Sequence, residues 1–277
     1  MLTENKNKNL LIIVLVTIWL IVLVGLGYIV ALKILDASAQ PSSYSVANDK
    51  PVLVLGGSLN SQIGVALEGS GVTKVYDETN VNVLIPNNAL YNWREDWEKA
   101  ILLKRPEVVI VAAGSLKADC QAATCKLISA ESRAAQVQEI LDIVEPVPFV
   151  VWVGLPKFGP GGGSTWLGEN ALEKVAKLNL IDEKVVKSAG RIFISPDKIL
   201  KGFQLERKGV DGKLYQARRT DNIHYCPVAA GAIAQKIGEK TFKNFPEYKS
   251  WWKGSWWKDA KFYNGSLGVP CNLVGKN

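Results

Sequence analysis

The sequence predicts an α/β protein with a mostly parallel central sheet. From residue 51 onward, short apolar runs alternate with longer amphipathic stretches, which is typical of strands alternating with helices. The apolar runs are continuous and rich in β-branched residues, as expected for strands covered on both faces. Hydrophobic residues make up 48% of the chain, which excludes a disordered protein. No Pro/Gly/Ser-rich linker splits this region, so we expect one globular domain.

Each predicted element rests on its own segment. Strands are predicted at residues 51–55, within 74–84, and at 108–113, 148–153 and 191–195. Helical patterns are predicted at residues 61–68, 93–104, 130–144, 169–189 and 227–242. In an open α/β sheet the ligand crevice lies outside the carboxyl ends of the strands, so the loops after residues 55 and 113 are where chemistry is expected.

An uncharged run at positions 10–32 predicts one N-terminal transmembrane helix. At about 1.5 Å per residue it is long enough to cross a hydrocarbon core of about 30 Å. A cleaved secretory leader is the alternative, because residues 37–39 resemble a cleavage site. Lys6 and Lys8 precede the run, which places the N-terminus in the cytoplasm. The globular part is then outside the cytoplasm, in the periplasm or at the cell surface.

The predicted organisation has four parts. Residues 1–36 form a cytoplasmic stub and membrane anchor, residues 37–50 a linker, residues 51–245 the globular domain and residues 246–277 a C-terminal tail. The tail is rich in tryptophan and lysine, a composition that suits nucleic acid, a membrane interface, a glycan surface or packing on the domain. The predicted location argues against nucleic acid, and we favour packing on the domain.

Cysteine usage agrees with an oxidising compartment. Cys120, Cys125, Cys226 and Cys271 are even in number, and outside the cytoplasm they can pair. Of the three connectivities, we expect bridges from Cys120 to Cys125 and from Cys226 to Cys271. The alternative is four buried free thiols.

Histidine occurs only once, at His224. A single histidine with scattered cysteines excludes a zinc or iron site built from several histidines, and we predict neither a metal nor a cofactor. Any mechanism that needs an imidazole must therefore use His224.

Ser58, Asp221 and His224 have the residue types needed for nucleophilic catalysis. Ser58 follows two glycines at a predicted strand-to-helix turn, where a sharp bend exposes a side chain at the sheet edge. Such a turn by itself is more often only a turn or a helix N-cap. However, a serine becomes a nucleophile when an imidazole accepts its proton and a carboxylate holds that imidazole in one tautomer. A spacing of three residues can bring Asp221 and His224 together.

Three motifs resemble the SGNH/GDSL hydrolase superfamily. They are Gly-Gly-Ser-Leu at 56–59, Ala-Ala-Gly at 112–114, and Asp-x-x-His at 221–224 before a Pro-x-Ala-Ala-Gly-Ala helix. The similarity spans about residues 51–240 and looks like an exported, often membrane-anchored branch. It implies a flavodoxin-like three-layer α/β/α sandwich. By the same resemblance, Ser58 is the nucleophile, His224 the general base and then acid, and Asp221 the carboxylate that orients His224.

The chain departs from the superfamily pattern at two positions. Gly57 stands where the family has an aspartate, and Leu116 stands where the family has an asparagine that completes the oxyanion hole. Gly114 is an oxyanion-hole candidate, and the side-chain amide of Asn87 or Asn88 could replace the missing donor. Loss of one such donor typically costs about 2.7 to 4 kcal/mol of transition-state stabilisation.

The resemblance implies a membrane-anchored extracytoplasmic serine esterase that removes O-acyl groups, chiefly acetyl, from cell-envelope carbohydrate. Its expected partners are the membrane, through the N-terminal helix, the carbohydrate or other ester substrate, and envelope proteins. Two alternatives stay open: a catalytically impaired scaffold or glycan-binding subunit, and an O-acyltransferase.

Overall fold

Five parallel strands form the central sheet of the computed structural model, which describes residues 46–79, 92–112, 129–162, 171–252, 271 and 276. In chain order they are β1 (Val52–Gly56), β2 (Val75–Thr79), β3 (Val108–Ala112), β4 (Phe149–Val153) and β5 (Ile192–Ile194). Their order in the sheet is β2-β1-β3-β4-β5, which is the flavodoxin-like doubly wound order. The predicted α/β class and parallel sheet are confirmed.

Helices follow the strands. They are α1 (Ser58–Gly69), α2 (Trp93–Lys104), α3 (Ala130–Ile143), α4 (Ala171–Ser188), α5 (Pro196–Leu200), α6 (Pro227–Thr241) and α7 (Tyr248–Trp251). A two-stranded antiparallel ribbon, β6 (Glu206–Lys208) and β7 (Leu214–Gln216), precedes α6. The first predicted helix begins three residues earlier than expected, at Ser58, because only Gly57 separates it from β1.

Side chains alternate between the two faces of each strand, and this alternation produces three layers. One face packs against α1 and α6 through Val52, Val54, Val108, Ile110, Ile63, Leu67, Ile233 and Ile237. The opposite face packs against α2, α3 and α4 through Leu53, Leu55, Val109, Val111, Trp97, Val137, Ile140 and Val186. The catalytic candidates of α1 and the segment before α6 therefore belong to the same side of the sheet.

The segments predicted as linker and tail both contact α6. Val46 lies in the segment predicted as a linker, is buried, and its amide donates to the carbonyl of Thr241 at 2.9 Å. In the segment predicted as a tail, Trp251 and Trp252 are buried, and Trp251 Nε1 donates to Gln235 Oε1 at 2.8 Å. The remaining tail tryptophans lie outside the described residues.

The predicted membrane helix at residues 10–32 and the cleavage-like residues 37–39 lie outside the described part of the chain. Among the helices that are described, none has the length and apolar character needed to span a bilayer. The anchor stays a prediction.

One of the two expected disulfides is present. Cys226 and Cys271 are bridged, with Cα atoms 5.7 Å apart, so the free-thiol alternative is wrong for this pair. Cys120 and Cys125 lie outside the described residues.

Candidate active site

Ser58 is the first residue of α1 and lies directly beyond the carboxyl end of β1. Gly56 makes this abrupt turn possible, because its φ is +122° and a Cβ there would be 2.2 Å from the carbonyl oxygen of Ala112. Ala112 ends the neighbouring strand β3. The sheet order reverses between β1 and β3, and ligands of doubly wound folds bind at this crevice. Ser58 is only partly buried there.

Asn60 ties together the two strand ends beneath Ser58. Its side chain is fully buried, and Nδ2 donates to the carbonyl oxygens of Leu55 at 2.6 Å and Ile110 at 3.0 Å. Sequence reasoning missed this residue. The available signal was a polar side chain two residues after the candidate nucleophile, on the helix face that also carries Ile63 and Gly64.

His224 lies in a tight loop between β7 and α6, residues 218–225, which we call the His224 loop. The Arg219 amide donates to the carbonyl of His224 at 2.9 Å, and the Asn222 amide donates to the carbonyl of Arg219 at 3.0 Å. Asn222 adopts a left-handed conformation with φ of 60°, which asparagine tolerates better than most residues. This turn brings Asp221 back onto His224.

The structure brings Ser58, His224 and Asp221 into one line of contacts. Ser58 Oγ lies 2.6 Å from His224 Nε2, and His224 Nδ1 lies 2.6 Å from Asp221 Oδ2. When Nδ1 carries the proton and donates it to Asp221, Nε2 is left as an acceptor for the Ser58 hydroxyl. The arrangement can therefore move a proton from Ser58 to His224.

Asp221 is held as a carboxylate. Burial by itself raises the pKa of Asp221, but hydrogen bonds from the His224 ring and from the amides of His224 and Ile223 outweigh it and lower the pKa to about 2. The two amides donate to Oδ1 at 2.9 and 2.8 Å. A negative charge beside Nδ1 stabilises the imidazolium that forms when Ser58 gives up its proton.

A buried arginine stabilises the His224 loop from within. Arg218 Nη1 donates to the carbonyl of Ile223 at 2.8 Å, and its guanidinium carbon lies 4.4 Å from the centre of the Tyr225 ring. Burial lowers the pKa of Arg218. A carbonyl and an aromatic ring of the same loop thus contact the Arg218 cation, which stabilises the shape of the loop.

The loop after β4, residues 154–162, supports the His224 loop from another side. The Gly159 amide donates to the carbonyl of Asn222 at 3.0 Å, and Asn222 Nδ2 donates to the carbonyl of Pro160 at 2.9 Å. An apolar cluster of Leu155, Phe158, Val175, Leu178 and Ile223, with Leu59 packed against it, lies in the same region. This cluster brings Leu59, the residue after Ser58, together with Ile223, the residue before His224.

The predicted oxyanion-hole residues Gly114, Asn87 and Asn88 lie outside the described residues, as does Leu116. The Asn60 amide donates to the Gly57 carbonyl at 2.9 Å, whereas the amides of Ser58 and Leu59 have no acceptor within the helix and, like other helix N-terminal amides, favour a negative charge. At Gly57 a Cβ would meet nothing within 4 Å, so the structure has room at this position for the aspartate of the superfamily pattern.

No group of three or more histidine, cysteine, aspartate or glutamate side chains in the described ranges is arranged to hold a metal ion.

Comparison with known proteins supports the fold. The family described as "protein of unknown function (DUF459)" matches residues 51–240. A GDSL-like lipase from Bacteroides thetaiotaomicron superposes with a TM-score of 0.51 at 13% identity, covering 74% of this chain and 92% of the lipase. An aryl esterase from M. smegmatis superposes with a TM-score of 0.50 at 16% identity, covering 69% of this chain and 97% of the esterase. No curated protein matches the sequence. At such identities the likeness shows the fold alone.

Proposed function

The chain belongs to the DUF459 family and has the SGNH hydrolase fold, and on this premise we propose that it is a serine esterase that works through an acyl-serine intermediate. The observation that carries the proposal is the continuous contact from Ser58 Oγ through both ring nitrogens of His224 to Asp221, with each distance 2.6 Å. Nucleophile, base and orienting carboxylate are the three parts that acyl transfer to a serine requires.

In the first half of the reaction, Ser58 Oγ attacks the ester carbonyl carbon while its proton passes to His224 Nε2. The resulting oxyanion is stabilised by N–H donors at the start of α1. The C–O bond to the alcohol then breaks, the alcohol takes the proton from His224, and the acyl group stays on Ser58. In the second half, His224 takes a proton from water, the water oxygen attacks the acyl carbon, and the carboxylic acid leaves as Ser58 recovers its proton.

We further propose that the substrate is an O-acetylated carbohydrate of the cell envelope and that the domain is held there by the N-terminal membrane helix. The uncharged run at residues 10–32 and the disulfide between Cys226 and Cys271 support the location. The resemblance to exported SGNH proteins supports both the location and the substrate class. Disulfides form and persist mainly in oxidising compartments outside the cytoplasm.

Hydrolysis assays on the full chain test the proposal. The wild-type protein and Ser58→Ala are compared on p-nitrophenyl acetate and on acetylated glycans, with Ser61→Ala as the matched control. Ser61 lies on the same helix but its hydroxyl donates to Asp77 at 2.7 Å, away from His224. We expect hydrolysis by wild type and Ser61→Ala and background rates for Ser58→Ala. Equal background rates in all three proteins would overturn the proposal.

The second candidate is a non-catalytic scaffold or glycan-binding subunit, favoured by the departures at Gly57 and Leu116. It predicts that Ser58→Ala retains the cellular role while deletion of residues 246–277 abolishes it.

Within the enzyme class, an acceptor sugar separates hydrolysis from acyl transfer, because an acyltransferase forms the acylated sugar instead of releasing only free acid.

A further inference from the structure

A glutamine on the nucleophile helix is joined directly to the loop that carries the histidine. Gln62 lies four residues after Ser58 on α1, so the two side chains are on the same helix face. The Gln62 side chain is buried, and its Oε1 accepts a hydrogen bond from the Tyr225 amide at 2.7 Å. Tyr225 is the residue after His224. One side chain therefore connects the element that holds the nucleophile to the main chain that holds the base.

The His224 loop needs this acceptor. Arg218 and Tyr225 face each other as an antiparallel pair. On one side of the pair the Arg219 amide donates to the His224 carbonyl, and on the other side the Cys226 amide donates to the Ala217 carbonyl, each at 2.9 Å. In a pair with that pattern, the N–H groups of the two facing residues point away from the partner strand. Tyr225 is buried, so without Gln62 its amide would lack an acceptor away from water, which is unfavourable.

The link between Ser58 and His224 through Gln62 is short and stiff. From Ser58 to Gln62 the path is about one turn of helix, and from the Tyr225 nitrogen to His224 it crosses a single planar peptide bond. Of the other contacts described above, those of Arg218 lie within the His224 loop itself, and the loop after β4 reaches α1 through the apolar packing of Leu59. Gln62 adds to that packing a hydrogen bond from the nucleophile helix to the main chain next to His224.

We propose that Gln62 is a positioning residue for the esterase reaction, and this inference rests on the function proposed above. Gln62 holds the main chain at His224 against α1, so that Nε2 stays within hydrogen-bond distance of Ser58 Oγ. It acts through His224 and takes no part in binding the substrate. Its loss therefore slows proton transfer and lowers kcat while KM changes little. A displacement of about 1 Å can lower the rate by about 100-fold.

Three substitutions separate positioning from general packing. Gln62→Met keeps the length of the side chain but removes the acceptor, whereas Gln62→Glu keeps an acceptor oxygen in either protonation state. Gln62→Ala leaves room for a water to satisfy the Tyr225 amide, which preserves the fold if Gln62→Met unfolds. The matched control is Gln136→Met, because Gln136 is also buried but lies on α3 against the opposite face of the sheet.

The readouts are kcat and KM for p-nitrophenyl acetate and the rate at which a fluorophosphonate labels Ser58 in the full chain, with thermal unfolding as a check of folding. For Gln62→Met or Gln62→Ala we expect kcat and labelling to fall about 10- to 100-fold, with KM within twofold of wild type. Gln62→Glu should recover most of the loss, and Gln136→Met should match wild type.

The possible failures are distinguishable. A wild-type chain that neither hydrolyses esters nor reacts at Ser58 overturns the proposed function. The positioning role alone is overturned if Ser58 of the wild type reacts but labelling and kcat are unchanged in folded Gln62→Ala. It is also overturned if Gln136→Met loses as much kcat as the Gln62 variants.

Discussion

Gly56 and Ala112 lie side by side at the carboxyl ends of β1 and β3, and the carbonyl of Ala112 occupies the space that a side chain on Gly56 would need. This close approach lets the chain leave β1 and enter α1 after a single residue. Ser58 therefore starts a helix directly beside the end of β3. The position of the candidate nucleophile depends on the absence of a side chain two residues before it.

Gly56→Ala should therefore destabilise the protein strongly. The new Cβ would lie 2.2 Å from a backbone oxygen, at a residue whose φ is +122°, and we expect a loss of about 3 kcal/mol or more in the free energy of unfolding. Gly57→Ala is the matched control, because φ there is −94° and a Cβ meets nothing within 4 Å. Its effect should stay below about 1 kcal/mol. Urea unfolding of the three proteins measures both values, and similar losses in the two variants would contradict the steric explanation.

Asp221→Asn should remove most of the activity while leaving the protein folded. An amide can donate to His224 Nδ1 and so favour the tautomer whose Nε2 carries a proton and cannot accept one from Ser58. In a serine protease the corresponding change lowers kcat by about 10⁴-fold, and we expect a loss of that order. Asp211→Asn is the control, since Asp211 lies in the exposed turn of the β6–β7 ribbon and bonds Tyr215. Steady-state rates on p-nitrophenyl acetate decide the matter, and a variant within tenfold of wild type would exclude Asp221 from the mechanism.

Asp221 should also make the free energy of unfolding depend on pH under acidic conditions. Burial opposes its ionisation, but the hydrogen bonds from His224 and Ile223 lower its pKa in the folded state to about 2, against about 3.9 in an unfolded chain. Because the folded pKa is the lower one, this stabilisation is present above about pH 4 and is lost as the pH falls through about 2.

The measurement is the free energy of unfolding of wild type and Asp221→Asn from pH 7 to pH 2. Other carboxylates affect both proteins alike, so the difference reports on the Asp221–His224 pair. Because its side chain is partly exposed, we expect the difference to shrink by about 1 to 2 kcal/mol between pH 5 and pH 2. A difference that stays constant over this range would contradict a lowered pKa.

The central strands were predictable because burial on both faces leaves a simple signal. In β1, β3 and β4 nearly every residue is apolar and buried, so each forms a continuous apolar run in which valine recurs. The β6–β7 ribbon was not predicted, because its strands of three residues, Glu206–Lys208 and Leu214–Gln216, contain polar and partly exposed side chains. Strands this short carry too few residues to show an alternating pattern.

In the candidate site, too, contacts between residues close in sequence were predictable and contacts between distant residues were not. The contact of Asp221 with His224 spans three residues, and a turn can be foreseen from that spacing. Ser58 and His224 are 166 positions apart, so nothing local indicates their contact, and it followed only from the resemblance to a family. The roles of Asn60 and Gln62 were missed because they depend on which backbone groups β3 and the His224 loop present to α1. That information exists only after the chain has folded.

Removing the disulfide should weaken the fold without disabling the site. Cys226 follows the His224 loop and is bridged to Cys271 across 45 positions, and loss of a crosslink closing a loop of that size typically costs about 2 to 4 kcal/mol. The loop keeps its other supports, because the Cys226 amide still donates to Ala217 and Gln62 still accepts from Tyr225. For the double variant Cys226→Ser/Cys271→Ser we therefore expect a lower free energy of unfolding but a kcat within about threefold of wild type at 25 °C, where the folded state still dominates. A large fall in kcat in the folded variant would mean that the bridge, rather than the contacts with α1 and the loop after β4, holds His224 in place.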